Sequence, residues 1–184
     1  RSIRLSAFRY TLAGFDFGRK TRFSTLLRVP TGYNIDRENL TATVTIPAFA
    51  CSFGLNLKAS PSQGAGNPGM FRISAALGIV TDMRLNNSGT AYEPVHDKLG
   101  HGIQLRSTPW FSTLGSVQEQ EIKLALNREY AVATDPLTTP PFVPEFTDAD
   151  SLVLTIAVEF GTPDAFGNTV PIRGTGGGMV LGVF

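Results

Sequence analysis

The residues of this chain that could do chemistry are few and poorly spaced for it. His96 and His101, with Asp97 beside the first, come nearest to a metal site, because imidazole and carboxylate groups both bind divalent ions. A separation of five residues matches neither one face of a helix nor one face of a strand. The pattern therefore indicates ordinary loop histidines and no metal site.

Acidic and glycine-rich clusters give no stronger signal. Glu145, Asp148 and Asp150 could offer oxygen ligands to calcium, but they lack the spacing of a known calcium loop. The glycines between Gly174 and Gly178 precede a predicted strand, whereas a phosphate-binding loop precedes a helix. No Gly-x-Ser-x-Gly elbow is present, and no spacing aligns Ser, His and Asp as a triad. We expect no catalytic residue and no cofactor, so an enzyme is the weakest function class.

Aromatic side chains offer a different chemistry, because their faces stack against sugars. Tyr92, Trp110, Phe111 and Tyr130 could form such a platform. Trp110, however, follows a proline in a stretch with other apolar residues, which favours a core or interface aromatic. A carbohydrate-binding or adhesive module therefore stays open as an alternative function.

The composition predicts that strands position all of these residues. Of 184 residues, 42% are apolar and 17% charged, and thirteen Phe with nineteen Gly favour strands joined by turns. The length fits one domain over residues 1–184. The single cysteine, Cys51, cannot form an intramolecular disulfide and is expected to be a buried thiol. No apolar run approaches the ~20 residues of a membrane-spanning helix, so no membrane span is expected.

Alternation of apolar with small or polar residues predicts strands, because a strand with one buried face repeats every two residues. The alternating segments are Leu40–Ile46, Phe49–Leu57, Phe71–Ile79, Leu152–Phe160 and Met179–Phe184. Short strands separated by turn residues predict an all-β fold, an antiparallel β-sandwich for which a jelly-roll topology is one option. At most one or two short helices are expected, the first within Arg19–Arg28.

The segment Ser116–Tyr130 is ambiguous. Ile122, Leu124 and Leu126 alternate as in a strand, whereas an early Ser and Glu form a helix capping box. The alternation favours a strand narrowly. Prolines then exclude regular ladders between residues 135 and 150, which we expect to be a long connection.

The N-terminal part of the chain differs in charge from the rest. Seven basic residues against one acid, Asp16, occupy the first 28 positions, although the whole chain has a net charge of only +1. A basic arm on a β domain could neutralise phosphates, as in a viral-type coat protein. Large apolar residues alternate with the basic ones, which predicts a strand rather than a disordered phosphate-binding arm. Residues 1–17 are therefore expected to form an extended N-terminal strand or arm.

Such a terminal strand must bury its apolar face on its own sheet or on that of a neighbour. Both cases stay open, and the C-terminal strand has the same ambiguity. The candidate interface residues are the apolar positions of these two strands: Ile3, Leu5, Phe8, Tyr10, Leu12, Met179, Leu181 and Val183.

These features favour a structural subunit that self-associates into an extracellular, pilus-like fibre or a shell through strand exchange or β-edge contacts. The predicted architecture is similar to that of donor-strand fibre subunits and jelly-roll coat proteins, although the chain carries no sequence motif of either. Copies of the chain itself are the expected partner. Glycan is a further option, and nucleic acid is disfavoured.

Overall fold

The computed structural model describes residues 2–18, 21–57, 68–95, 102–126, 146–173 and 175–184. The predictions on His96, His101, Tyr130, Glu145 and Gly174 lie outside the described residues, as does most of the predicted Pro-rich connection. Antiparallel strands dominate the described part, which confirms the predicted all-β, sandwich-like fold.

Fourteen strands occur in the described residues, together with two short α-helices and one 3-10 turn at Arg9–Thr11. The helices are α1 (Phe23–Leu26) and α2 (Cys51–Gly54). The strands are β1 (Ser2–Ile3), β2 (Gly32–Asp36), β3 (Thr41–Ile46), β4 (Phe49–Ala50), β5 (Met70–Thr81), β6 (Met83–Leu85), β7 (Tyr92–Pro94), β8 (Ile103–Ser107), β9 (Phe111–Ser112), β10 (Ser116–Val117), β11 (Gln120–Ala125), β12 (Asp150–Pro163), β13 (Thr169–Pro171) and β14 (Gly177–Val183).

Two long strands, β5 and β12, form the centre of a large sheet. They pair continuously from Asp150 opposite Thr81 to Gly161 opposite Met70. β13 and β14 pair with the other side of β12, and β8 and β9 pair with the other side of β5. β8 is therefore an edge strand of the large sheet.

A smaller sheet has β3 at its centre, between β2 and β11. The short pair β4 and β10 continues it beyond Pro47. A third sheet, with the order β1-β6-β7, follows directly from the end of β5. β1 thereby joins the start of the chain to the strands that leave the large sheet.

The core lies between the large sheet and the sheet of β3. Val44 and Ile46 from β3 and Phe71, Leu154 and Phe160 from the large sheet are fully buried in one apolar cluster. The Thr residues of β3 alternate with its buried residues, as the sequence predicts. Burial of both inner faces against each other is what joins the two sheets into layers.

The predicted strand Phe49–Leu57 is wrong beyond its first two residues, because α2 replaces it from Cys51 to Gly54. Cys51 and Leu55 are both buried, and four residues apart they lie on one side of a helical turn. Phe53 between them is 81% exposed. Positions four apart satisfy a period of two as well as a helical period, so alternation alone could not separate the two structures.

Three further expectations are confirmed. β10 and β11 show that the ambiguous segment after Ser116 is strand, and α1 lies within the predicted helical segment. Cys51 is 2% exposed, as expected for a core thiol. Burial raises the pKa of this thiol, which donates a hydrogen bond to the Ser112 carbonyl oxygen at 3.5 Å. Among the described helices, none is long and apolar enough to cross a membrane.

Candidate assembly surface

Residues 2–18, named here the N-terminal arm, lie on the chain's own domain but not as the predicted continuous strand. Only Ser2–Ile3 pairs as a strand, opposite Arg84 and Met83 of β6. Turns and the 3-10 turn follow. The arm's backbone needs hydrogen-bond partners, and turns satisfy them locally where no neighbouring strand runs alongside.

Polar side chains anchor the middle of the arm. Ser6 donates from its N–H to Asp82 Oδ1 at 2.9 Å and from its hydroxyl to Asp82 Oδ2. Arg9 Nη2 donates to the carbonyl oxygens of Asp148 and Asp150 at 3.2 and 3.4 Å. The arm is therefore fixed at the end of the large sheet where β5 ends and β12 begins.

A second arginine converges on the same corner. Arg37, which follows β2, donates to the carbonyl oxygens of Thr147 and Asp150 at 2.7 and 3.0 Å. Its guanidinium carbon also lies 4.7 Å from the centre of the Phe146 ring. Arg9 and Arg37 share the Asp150 carbonyl, so the arm and the β2–β3 connection are tied to one point.

The last part of the arm runs along the free side of β14. Gly14 N donates to Val180 O, Val180 N donates to Phe15 O, and Phe17 N donates to Gly178 O, each at 2.9 Å. Asp16 forms a bridge with Met179, and its carboxylate accepts from the N–H groups of Gly18 and Phe23. The arm thus closes one edge of the large sheet and caps the start of α1.

The apolar side chains of the arm remain largely in solvent even though its polar groups are anchored. Ile3, Phe8, Phe15 and Phe17 are each more than half exposed, and Tyr10 is 91% exposed. The rings of Phe15 and Phe17 contact each other edge to face, with 5.5 Å between their centroids. Leu5 and Leu12 are half-buried. The arm therefore presents several large apolar side chains to solvent.

The C-terminal candidates lie elsewhere. β14 pairs with β12 on one side and meets the arm on the other. Met179 and Leu181 pack against the core, and Val183 is buried. The backbone of β14 could pair with a strand of another chain on this side only if the arm left β14.

The opposite edge of the large sheet carries two exposed aliphatic side chains. Ile103 and Leu105 of β8 are 74% and 64% exposed. Their partners across the ladder are Gly78 and Ala76 of β5, so both side chains stand on the outer face of the sheet, away from the core. Their alternation with Gln104 and Arg106 is visible in the sequence, but it does not tell which face is buried.

The aromatic sequence candidates that the structure describes lie in separate places. Phe111 packs against Phe71 at 5.7 Å between ring centroids, Trp110 lies under the Arg72 guanidinium at 4.7 Å, and Tyr92 belongs to β7. The aromatic row that a sugar platform requires is therefore divided among separate places. In the ranges that the structure describes, no three His, Cys, Asp or Glu side chains are grouped so as to hold a metal ion.

Sequence reasoning missed the polar anchors. The contacts of Ser6, Arg9, Arg37 and Asp82 join residues up to 141 positions apart. A signal was present only for Arg9, as part of the basic arm. No family model and no curated protein matches this chain.

Proposed function

We propose that this protein is a structural subunit that associates with copies of itself, in an extracellular fibre or a shell. The observation that carries the proposal is the arm, whose polar groups are bound to the domain while its large apolar side chains stand in solvent. Full burial of an exposed Ile or Phe side chain stabilises by roughly 1.5–3 kcal/mol. The five apolar residues of the arm that are more than half exposed therefore favour association when a second copy covers them.

Strand exchange is the route by which the arm could serve this purpose. The arm contacts its own domain at three separate places: β6, Asp82 with the Asp148–Asp150 carbonyls, and β14. The same contacts form when the arm of one copy lies on a neighbour, because exchange keeps every native contact. The net change in free energy on exchange then depends on burial of the exposed apolar side chains and on whether the chain can reach the neighbour.

Two alternatives receive less support. Arg9, one of the basic arm residues, is engaged with two backbone carbonyls and is half-buried, which makes it a poor phosphate ligand. Trp110 is half-buried beneath Arg72, so one face of its ring is occupied. We therefore do not extend the proposal to a nucleic-acid coat or a glycan-binding module.

The proposal is tested by deleting residues 1–13 and measuring molar mass by light scattering with the melting temperature. Loss of a larger species from a protein that still melts cooperatively is the expected result. A deletion variant that unfolds identifies the arm as an intrachain element, and a full-length chain that is monomeric at all concentrations contradicts the proposal.

A point-substitution version keeps the backbone of the arm. Phe8→Ser with Tyr10→Ser removes two exposed rings without touching the polar anchors. Phe166→Ser is the matched control, because Phe166 is 90% exposed in the β12–β13 turn. We expect the arm variant to lower the mass of the assembly and the control to leave it unchanged.

A further inference from the structure

The free edge of β8 has backbone groups that can pair with another strand. Ile79 N donates to Gly102 O at 3.1 Å, and Thr108 N donates to Ile73 O at 2.9 Å. These two bonds show which residues of β8 are hydrogen-bonded to β5. Hydrogen-bonded pairs alternate along an antiparallel ladder, so Gln104 and Arg106 direct their N–H and C=O groups towards β5. Ile103, Leu105 and Ser107 direct theirs away from the sheet, where no backbone partner is found among the residues that the structure describes.

We propose that β8 pairs antiparallel with β8 of a second copy, with the two-fold axis at Leu105. This inference rests on the proposed self-association and names one of its contacts. In this register Leu105 lies opposite Leu105 of the second copy, and Ile103 lies opposite Ser107. All the outward-pointing groups of both strands are then used in about six hydrogen bonds.

Other registers of the same parity fit less well. An axis at Ser107 places Leu105 opposite Pro109, which has no N–H to donate. An axis at Gln104 pairs Ile103 with Leu105 and leaves Ser107 without a partner within β8, whereas an axis at Arg106 places Ile103 opposite Pro109. Each of these registers forms about four hydrogen bonds. The axis at Arg106 also places two positive charges face to face. With the axis at Leu105, each Arg106 lies opposite a neutral Gln104. The axis at Leu105 is therefore favoured by the number of hydrogen bonds and by charge.

The side chains on the outer face support the same arrangement. Opposed residues of a hydrogen-bonded pair have Cα atoms about 5.5 Å apart, so the two Leu105 side chains would touch across the axis. Each Ile103 would lie diagonally next to the Leu105 of the other copy, within reach of an aliphatic side chain. A row of four aliphatic side chains that now stand in solvent would become continuous. Exposed apolar edge strands without a protecting charge on that face are sites of such pairing.

Charge at position 105 gives the sharpest test, because the axis brings the two side chains together. We expect Leu105→Lys and Leu105→Glu each to raise the dissociation constant by about tenfold or more in sedimentation velocity, because like charges oppose each other. An equimolar mixture of the two variants should associate nearly as well as the unmodified protein. Phe166→Lys is the control for adding a lysine at another exposed apolar position. Unchanged melting temperatures show that folding is retained.

Disulfide formation tests the register independently. Leu105→Cys should form a covalent dimer on mild oxidation, since Cα atoms about 5.5 Å apart are within disulfide range. Ile103→Cys should not, because it faces Ser107 of the other copy. Cys51 is buried and remains in both variants as an internal reference.

These measurements distinguish a wrong β8 contact from an absence of self-association. If the full chain associates and the Leu105 charge variants associate equally well, the β8 contact is wrong while self-association stands. If the full chain stays monomeric up to millimolar concentration, self-association itself is wrong. If each charge variant is weakened but the mixture is not restored, the axis does not lie at Leu105 and the register is overturned.

Discussion

Asp150 is a buried acidic residue whose hydrogen bonds are expected to contribute to the stability of the fold. It is fully buried at the start of β12. Its Oδ1 accepts from the Thr81 hydroxyl at 2.5 Å, and its Oδ2 accepts from the N–H and the hydroxyl of Thr147, both at 2.9 Å. A carboxylate can be buried when its oxygens are hydrogen-bonded in this way, because those bonds replace its hydration.

Removing this carboxylate should remove the acceptor of three hydrogen bonds. We expect Asp150→Ala to lower the free energy of unfolding by about 3 kcal/mol in urea denaturation. Asp148→Ala is the control, since the Asp148 side chain is fully exposed and its ion pair with Arg37 spans 3.7 Å. That variant should cost ~0.5 kcal/mol or less. Equal losses in the two variants would show that the buried network is not what stabilises the corner.

A second residue, Asp36 at the end of β2, is expected to make an acid-sensitive contribution to the free energy of unfolding. The Asn39 side chain, which donates to Asp36 Oδ2 at 2.6 Å, lowers the pKa of Asp36 below its ordinary value of 3.8, with help from the Asn39 N–H. A lowered pKa means that the folded state binds protons less readily than the unfolded state. The contribution to stability is therefore present above pH 3.8 and disappears as the pH falls through the folded-state value.

Substitution of Asn39 tests whether its side chain lowers the pKa of Asp36. Asn39→Ala removes the side-chain donor and should raise the pKa of Asp36 towards 3.8 in a carboxyl NMR titration. The N–H of residue 39 remains, so a complete return is not expected. Asn87→Ala, in a different turn, should leave the Asp36 titration unchanged. A titration of Asp36 that does not move in Asn39→Ala would contradict the assignment.

At the scale of elements, the entry into β14 depends on one glycine. Gly176 has a φ of +100°, and a Cβ there would lie 2.2 Å from the Val158 carbonyl oxygen. The backbone of β12 occupies the space that a side chain needs. Flexibility alone does not explain this glycine, because close approach of two backbones also excludes a Cβ.

Comparison with a second glycine separates the steric cost of a Cβ from the cost of a positive φ. Gly167 also has a positive φ, +85°, but a Cβ there would meet nothing within 4 Å. We expect Gly167→Ala to cost about 1 kcal/mol from backbone strain and Gly176→Ala to cost roughly 3 kcal/mol or more. Thermal or urea unfolding of both variants measures the difference. Equal costs would mean that the chain shifts away from Val158 easily.

Elements also show where sequence patterns reach their limit. β3, β5 and β12 are long, have one buried face and were predicted by alternation. The arm alternates equally well up to Leu12 but forms turns after Ile3. An alternating segment forms a strand only when a neighbouring strand supplies backbone hydrogen-bond partners. Whether such a neighbour is present depends on the tertiary structure.

At the scale of the whole molecule, the arm decides how the two edges of the large sheet differ. One edge is closed by Gly14–Phe17 against β14, and the other ends in the open strand β8. Within the described residues, β8 is therefore an open edge of the large sheet that could template a new strand.

The arm's attachment can be loosened without disturbing the core. Arg9→Ala removes the contacts to the Asp148 and Asp150 carbonyls and should increase chymotrypsin cleavage at Phe8 and Tyr10 severalfold under native conditions. Arg4→Ala is the control, because exposed Arg4 contacts only Ser2 within the described residues. The melting temperature of the core should change little. Equal cleavage of the two variants would show that Arg9 does not hold the arm.

The sequence by itself determined the class of fold and most of the core. Period-two alternation places Val44, Phe71, Leu154 and Phe160 on buried faces, because burial of apolar side chains is a local requirement that each strand must meet. The lone buried thiol of Cys51 follows from the same requirement. The apolar arm was also visible, since large apolar residues in a basic segment need a surface to cover them.

Only the tertiary structure decided which apolar residues stay uncovered. Ile103 and Leu105 alternate as well as core residues do, yet they stand in solvent because β8 is an edge strand with its outer face away from the core. The contacts of Arg9 and Ser6 likewise join residues far apart in the chain. Strand order and edge position depend on long-range pairing, which local periodicity does not contain, and the surface we propose for assembly is defined by them.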